Sequence, residues 1–341
     1  MSLTGAVSRN TIWSPQAPMM ANAMSYVRPR QPELDFIKGV MIVLVVVFHL
    51  GYIGDLYPTA KALVYTFHMP TFLLLSGYLL NTQRPAAAFG RKLLWIFVPY
   101  AVMESAYVVA SAIMPVRERV DNLSLLLLVD KNLLHPLGPY WYLHTLMLCS
   151  LTCYVAERLP RRGPGFSAGG RLVVAGLLLW ELSRLGLVNA ANAFWFLGGA
   201  AVRMGGLRLS DTFFPAWLAI VPVALMATEP AFFDRATLPG VVLTLCVLSF
   251  LTALWRRWGS RAPWRGVSYL GRNTLVVFLF SPIFTMAMKQ LLPLFRFDAT
   301  GLAYLVCATA VAVAGSLGVA AAMDRTGLSR YLFGRQRVLN G

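Results

Sequence analysis

The stretch LDFIKGVMIVLVVVFHLGYIG, residues 34–54, is almost wholly apolar yet carries Asp35, Lys38 and His49. Its length matches the roughly 20 apolar residues that a helix needs to cross a hydrocarbon core. An ionisable group at the centre of such a helix costs roughly 2.5–3.5 kcal/mol on insertion scales, which makes each one a candidate functional residue. Lys38 lies near the helix start and can snorkel to the interface. Asp35, three residues earlier, can pair with it and cap the helix. His49 lies further along, roughly 16 Å from Lys38 at 1.5 Å per residue, and cannot reach the same water.

The rest of the chain has the same character. Its 341 residues are 57% hydrophobic and 13% charged, with a mean hydropathy of +0.62, against about 25% charged residues in an ordinary soluble domain. The composition predicts an all-α, polytopic transmembrane bundle of about ten spanning helices. The windows fall near 36–54, 61–80, 93–113, 139–157, 171–187, 190–205, 213–229, 238–255, 267–290 and 301–322. The segment 123–134, LSLLLLVDKNLL, is too short and charged to span and reads as a surface helix. Three regions follow: a flexible tail over 1–33, a membrane-embedded domain over 34–323 and a basic tail over 324–341. The first 30 residues have no apolar core of the kind that precedes a secretory cleavage site.

A net charge of +16 invites a nucleic-acid reading, but in a membrane chain basic residues report topology first. With the N-terminus inside, the inside segments carry 21 Lys and Arg, against seven in the outside loops. Both termini are therefore expected in the cytoplasm. No basic patch interleaved with aromatics supports a nucleic-acid partner. Cys149 and Cys153 share a helical face and read as small core residues. No Cys/His metal spacing, phosphate-binding glycine loop or nucleophile elbow occurs, so no metal and no bound cofactor are expected.

A second histidine completes the pattern. In YTFHMPTFLLLSGYLL, residues 65–80, the second helix runs back inward and brings His68 to about the depth of His49. Two imidazoles at one level of the outer leaflet suit proton transfer, and they imply a polar cavity. Either histidine alone can also be a core residue bonded to a helix carbonyl.

These residues bring a family into view. LDFIKGVMIVLVVVFH resembles the first helix of the integral-membrane acyltransferases of type 3, marked by Arg or Lys, ten residues, then His; Lys38 and His49 match. FHMPTFLLLSGYL, residues 67–79, is similar to the second-helix block of members related to the fucose 4-O-acetylase and polysaccharide O-acetyltransferase group, and His68 fills the histidine before Met-Pro. PYWYL at 139–143 and YLGRNTLVVFLFSP at 269–282 resemble the family's fourth and ninth helices. GRKLLWIFVPY keeps Arg91 and Lys92 but has Leu94 and Trp95 where a second basic residue often falls, and Ser281 stands where many members have histidine.

The resemblance implies transfer of an acyl group, most commonly acetyl, from cytoplasmic acyl-CoA to a hydroxyl of a carbohydrate or lipid-linked glycan at the outer face of a bacterial inner or plasma membrane. His49 would be the general base, and His68 would orient the acceptor or share the proton. Lys38, Arg91 and Lys92, with Asp35 holding Lys38, would receive the phosphates of acetyl-CoA. Glu104, Trp141, Tyr142 and His144 are candidates for the acceptor site, each with a structural alternative: a helix–helix hydrogen bond for Glu104 and an aromatic belt for the others. The segment 115–138 reads as a lid over that site or as a helix resting on the membrane. A proton-coupled exporter of a glycan or small anion is the rival reading, since paired histidines also relay protons.

Overall fold

The computed structural model describes residues 31–113, 119–159, 168–209 and 214–340. The tail expected over 1–33 lies outside them except for its last three residues, and α1 (Pro32–His49) already begins inside it. Pro32 opens the helix, and Glu33 and Asp35 occupy its first turn, where the helix dipole favours acidic side chains.

The chain continues as α2 (Gly51–Leu56), α3 (Pro58–Leu79), α4 (Ala86–Ile113), the short α5 (Leu125–Leu133), α6 (Trp141–Arg158), α7 (Ala168–Arg184) and α8 (Ala190–Met204). It ends with α9 (Ile220–Met226), α10 (Leu238–Trp258), α11 (Ala262–Arg272), α12 (Thr274–Gln290), α13 (Leu302–Thr326) and α14 (Ser329–Phe333). No strand occurs among the described residues. Each of the ten apolar windows contains helix, and α3, α4, α10 and α13 are long and apolar enough to cross a membrane, with α11 and α12 a fifth span if the bent pair counts as one.

Three windows differ from continuous helices. The first breaks after His49, because Leu50 adopts extended backbone at ψ 97° and Gly51 is a poor helix former. The ninth bends by 86° at Asn273, whose side chain donates to Tyr269 O at 3.0 Å and so competes with the helical ladder. Among its described residues, the window at 213–229 holds a 3₁₀ turn at Trp217–Ala219 followed by α9.

Two helix crossings hold the bundle at backbone contact distance. α1 runs antiparallel to α11, with Gly39 against Val267 and Gly271 against Asp35; an added Cβ would fall 1.9 Å from Val267 O and 1.6 Å from Asp35 O. α3 and α8 meet in the same way, through Gly77 against Phe196 O at 2.0 Å and Gly199 against Leu74 O at 1.9 Å. Without a hydrophobic drive between helices in lipid, small residues that admit such close approach supply the dispersion energy of association. Around these seams the core is apolar, with Phe36, Ile37, Met41 and Val46 of α1 fully buried.

The segment expected as a basic tail is tied down. Asp324 accepts the backbone N–H of Val338 at 2.8 Å and of Leu339 at 3.2 Å, together with the Ser329 hydroxyl. Phe333 is buried, and Gly334, at φ 68°, lies flat against the Trp95 indole. Asn340 and Asn273 bond reciprocally, N–H to Oδ1 at 2.8 Å and Nδ2–H to O at 3.1 Å. Residues 324–340 thus strap the α11–α12 bend to α13 and α4, at the end of the bundle that carries Asp35.

Candidate active site

His49 is the last residue of α1, and its Nδ1–H donates to Val45 O at 2.6 Å. His68, within α3 and 2% exposed, donates Nδ1–H to Val64 O at 2.7 Å. A carbonyl oxygen only accepts, so in both neutral imidazoles the proton sits on Nδ1 and Nε2 keeps its lone pair. The two rings are thereby set in one tautomer by their own helices. His49 is exposed at the α1–α2 break, and the neighbouring Gly51 faces open space.

Tyr65 joins the two positions. Its ring lies 4.9 Å from the His68 imidazole, and its hydroxyl donates to Phe48 O at 3.3 Å. Lys61 Nζ also stands over that ring, 5.7 Å from its centre. Lys61, Tyr65 and His68 follow i, i+4, i+7 spacing and share one face of α3. His68 lies within electrostatic reach of both His49 and Arg235. Two residues further along, Pro70 interrupts the ladder of α3; it has no N–H to give Thr66 O, and the Thr244 hydroxyl of α10 reaches that carbonyl at 3.5 Å.

At the opposite end of α1, Lys38 pairs with Asp35 at 2.9 Å. Between the two ends lies an apolar cavity of about 170 Å³, lined by Ile42, Met69, Phe72, Tyr142 and Phe278 among others. Tyr142 reaches Ser76 through a 2.8 Å hydroxyl–hydroxyl bond, so it faces this inner space. Arg91 and Lys92 are exposed on the first turns of α4. No ion pair joins either of them to the Lys38–Asp35 pair among the described residues.

A second cavity, of about 390 Å³, opens beside the first turn of α6 and includes Trp141, His144, His135, Asn192 and Arg235 in its lining. His144 bonds Leu133 O through Nε2–H at 2.9 Å. Glu104 is fully buried behind it and accepts the Leu137 N–H at 2.5 Å, which fixes the approach to α6. Of the four acceptor-site candidates, Trp141 and His144 line this cavity, Tyr142 the apolar one and Glu104 neither. No group of His, Cys, Asp and Glu among the described residues is placed to hold a metal ion.

The model of the acyltransferase domain of the type 3 acyltransferases matches residues 31–321. The chain belongs to that acyltransferase family. No curated protein and no solved structure matches it.

In this type 3 acyltransferase Lys38 and His49 lie on one uninterrupted helix, α1, with the histidine at the helix break. Lys61, Tyr65, Asn192 and Arg235 were not singled out from the sequence as site residues. For Lys61 and Tyr65 the signal was there, since both share the His68 face of α3. Arg235 and Asn192 are far from Trp141 and His144 in sequence and join their cavity only through packing.

Proposed function

We propose that this family member is a membrane-bound O-acyltransferase that moves an acetyl group from cytoplasmic acetyl-CoA to a hydroxyl of a carbohydrate or lipid-linked glycan at the outer face. In this reading the bundle spans about ten times with both termini inside, in a bacterial inner or plasma membrane. One observation carries it: His49 and His68, bridged by Tyr65, both keep Nε2 available as a base at the end of the helix whose other end holds Lys38.

The CoA phosphates bind at Lys38 and the nearby start of α1, with Arg91 and Lys92 adding positive charge to the same surface. The thioester arm follows the apolar space beside Ile42 towards His49. There the acceptor hydroxyl loses its proton to His49 Nε2 as its oxygen attacks the thioester carbonyl. The C–S bond breaks, the proton passes to the departing thiolate, and ester and free CoA thiol are formed. His68 and Tyr65 orient the acceptor, and the larger cavity with Trp141 holds its sugar ring.

The test uses the protein in nanodiscs with acetyl-labelled acetyl-CoA and a crude glycan pool, comparing wild type with His49→Ala. Thiol release coupled to labelled glycan, lowered roughly 10²–10⁴-fold in the variant, is the expected outcome. Undiminished transfer by the variant removes His49 from the chemistry. Absence of turnover in wild type, together with proton-coupled glycan flux, would establish the exporter instead.

A further inference from the structure

The larger cavity is one-sided in charge. Arg235 lines it and no Asp or Glu does. Among the described residues no ion pair to the Arg235 guanidinium forms, and the acid that acts on it electrostatically is its chain neighbour Asp234. The adjacent Asp234 is turned to its own loop, where Oδ1 accepts the Ala236 N–H at 2.8 Å. The loop is rigid: Arg235 O accepts the Trp195 indole N–H at 3.0 Å, and Thr237 closes the turn onto Asp234 O at 2.8 Å. Gly240 packs so tightly on Asp234 that a Cβ would fall 2.0 Å from its carbonyl.

Asn192 supplies an independent observation. It lines the same cavity, is 2% exposed, and its Oδ1 has no hydrogen-bond partner. A buried amide oxygen left unsatisfied is costly, and because Asn192 forms part of the cavity wall, a small rotation of its side chain would offer that oxygen to a ligand's hydroxyl. Trp141 offers a flat apolar face beside it.

We infer that the acceptor carries an anionic group, a carboxylate or a phosphate, which Arg235 binds while Asn192 takes hydroxyls of the attached sugar. This rests on the reading of the cavity as the acceptor site of the proposed transfer. Guanidinium pairs bidentately with either oxyanion, and Arg235 lies within electrostatic reach of His68, which orients the acceptor in the proposed transfer. Arg235 is then a specificity residue, binding substrate without joining the proton transfer.

The experiment titrates the nanodisc-embedded protein with three probes, a uronate-containing oligosaccharide, a hexose phosphate and a neutral oligosaccharide of equal length, by calorimetry at low and high salt. Wild type is expected to prefer at least one anionic probe over the neutral one, with the preference shrinking at high salt. Arg235→Gln should weaken that anionic probe roughly 10- to 100-fold and the neutral one far less, while Arg235→Lys keeps part of the preference. Asn192→Ala should weaken anionic and neutral sugars alike. The stronger anionic probe tells carboxylate from phosphate. Failure of both anionic probes to exceed the neutral one in wild type overturns the inference, as does an Arg235→Gln variant with unchanged selectivity.

Thiol release from acetyl-CoA is followed in parallel. Turnover with neutral acceptors alone keeps the acyltransferase reading and removes the anion site. Anion binding that depends on Arg235 without any thiol release does the reverse.

Discussion

His49 and His68 each spend Nδ1 on the carbonyl four residues back, a bond that any helical histidine can make, and what distinguishes them is Tyr65 between them. Tyr65→Phe keeps the ring against His68 and removes the hydroxyl that bonds Phe48 O. A single bond of this kind is worth about 0.5–1.5 kcal/mol, so kcat/KM is expected to fall a few-fold and the Tm to drop only slightly, as steady-state kinetics and a melting curve would read. Lys38 requires a finer test, because removing it also strips the mostly buried Asp35 of an ion-pair partner, and breaking such a pair is costly. Lys38→Ala should therefore raise the donor KM and lower the Tm together. The double variant Asp35→Asn, Lys38→Met should recover the Tm and keep the raised KM; recovery of both would make the pair structural only.

At the level of elements, the glycine seams set how close α1 comes to α11. Gly39→Ala places a methyl group 1.9 Å from Val267 O, and since the obstacle is backbone, the helices must separate. A loss of about 1–3 kcal/mol or more follows, read as a lower Tm in detergent. Gly90 of α4 is the control: nothing lies within 4 Å of its added Cβ, so Gly90→Ala should stabilise by about 0.5–1 kcal/mol. The short α5 is anchored by Asp130, whose carboxyl is held below its usual range chiefly by the His135 hydrogen bond and further by the charges of His135 and Lys131. A depressed folded-state value means that this anchoring is present at neutral pH and is lost as pH falls through that value, below the ordinary aspartate range near 3.9. Amide exchange over residues 128–135 should accordingly stay slow in mildly acidic buffer and quicken only in strong acid.

For the whole molecule, the strap at 324–340 couples the last long helix to the bend at Asn273. Asp324→Ala removes the acceptor of three bonds at once, from Ser329, Val338 and Leu339. Local opening should then expose the exposed arginines Arg335 and Arg337 to trypsin at least ~10-fold faster than in wild type. An unchanged cleavage rate would show that Phe333 and the Trp95–Gly334 contact hold the strap by themselves.

Much of this was readable along the chain. Apolar windows between clusters of charge mark helices because lipid demands internal backbone bonding, and a lysine and a histidine inside such a window mark a site because burying them is expensive. Those local rules led to the all-helical bundle, to Lys38 with His49 and to His68, and the blocks around them resemble the acyltransferase family to which the chain belongs. The same rules place Lys61 and Tyr65 on the His68 face. They do not find the break after His49 or the 86° bend at Asn273, since both depend on one residue's backbone choice within an apolar run. Nor do they separate Tyr142 from its neighbour Trp141, which face different cavities. The sequence by itself determined which helices form and which polar groups they carry into the bundle, because periodicity and desolvation act within a single segment. Only the tertiary structure decided that Arg235 and Asn192 share a cavity with Trp141 and that the basic C-terminal segment closes over the α11–α12 bend, because those neighbours are set by which helices pack together.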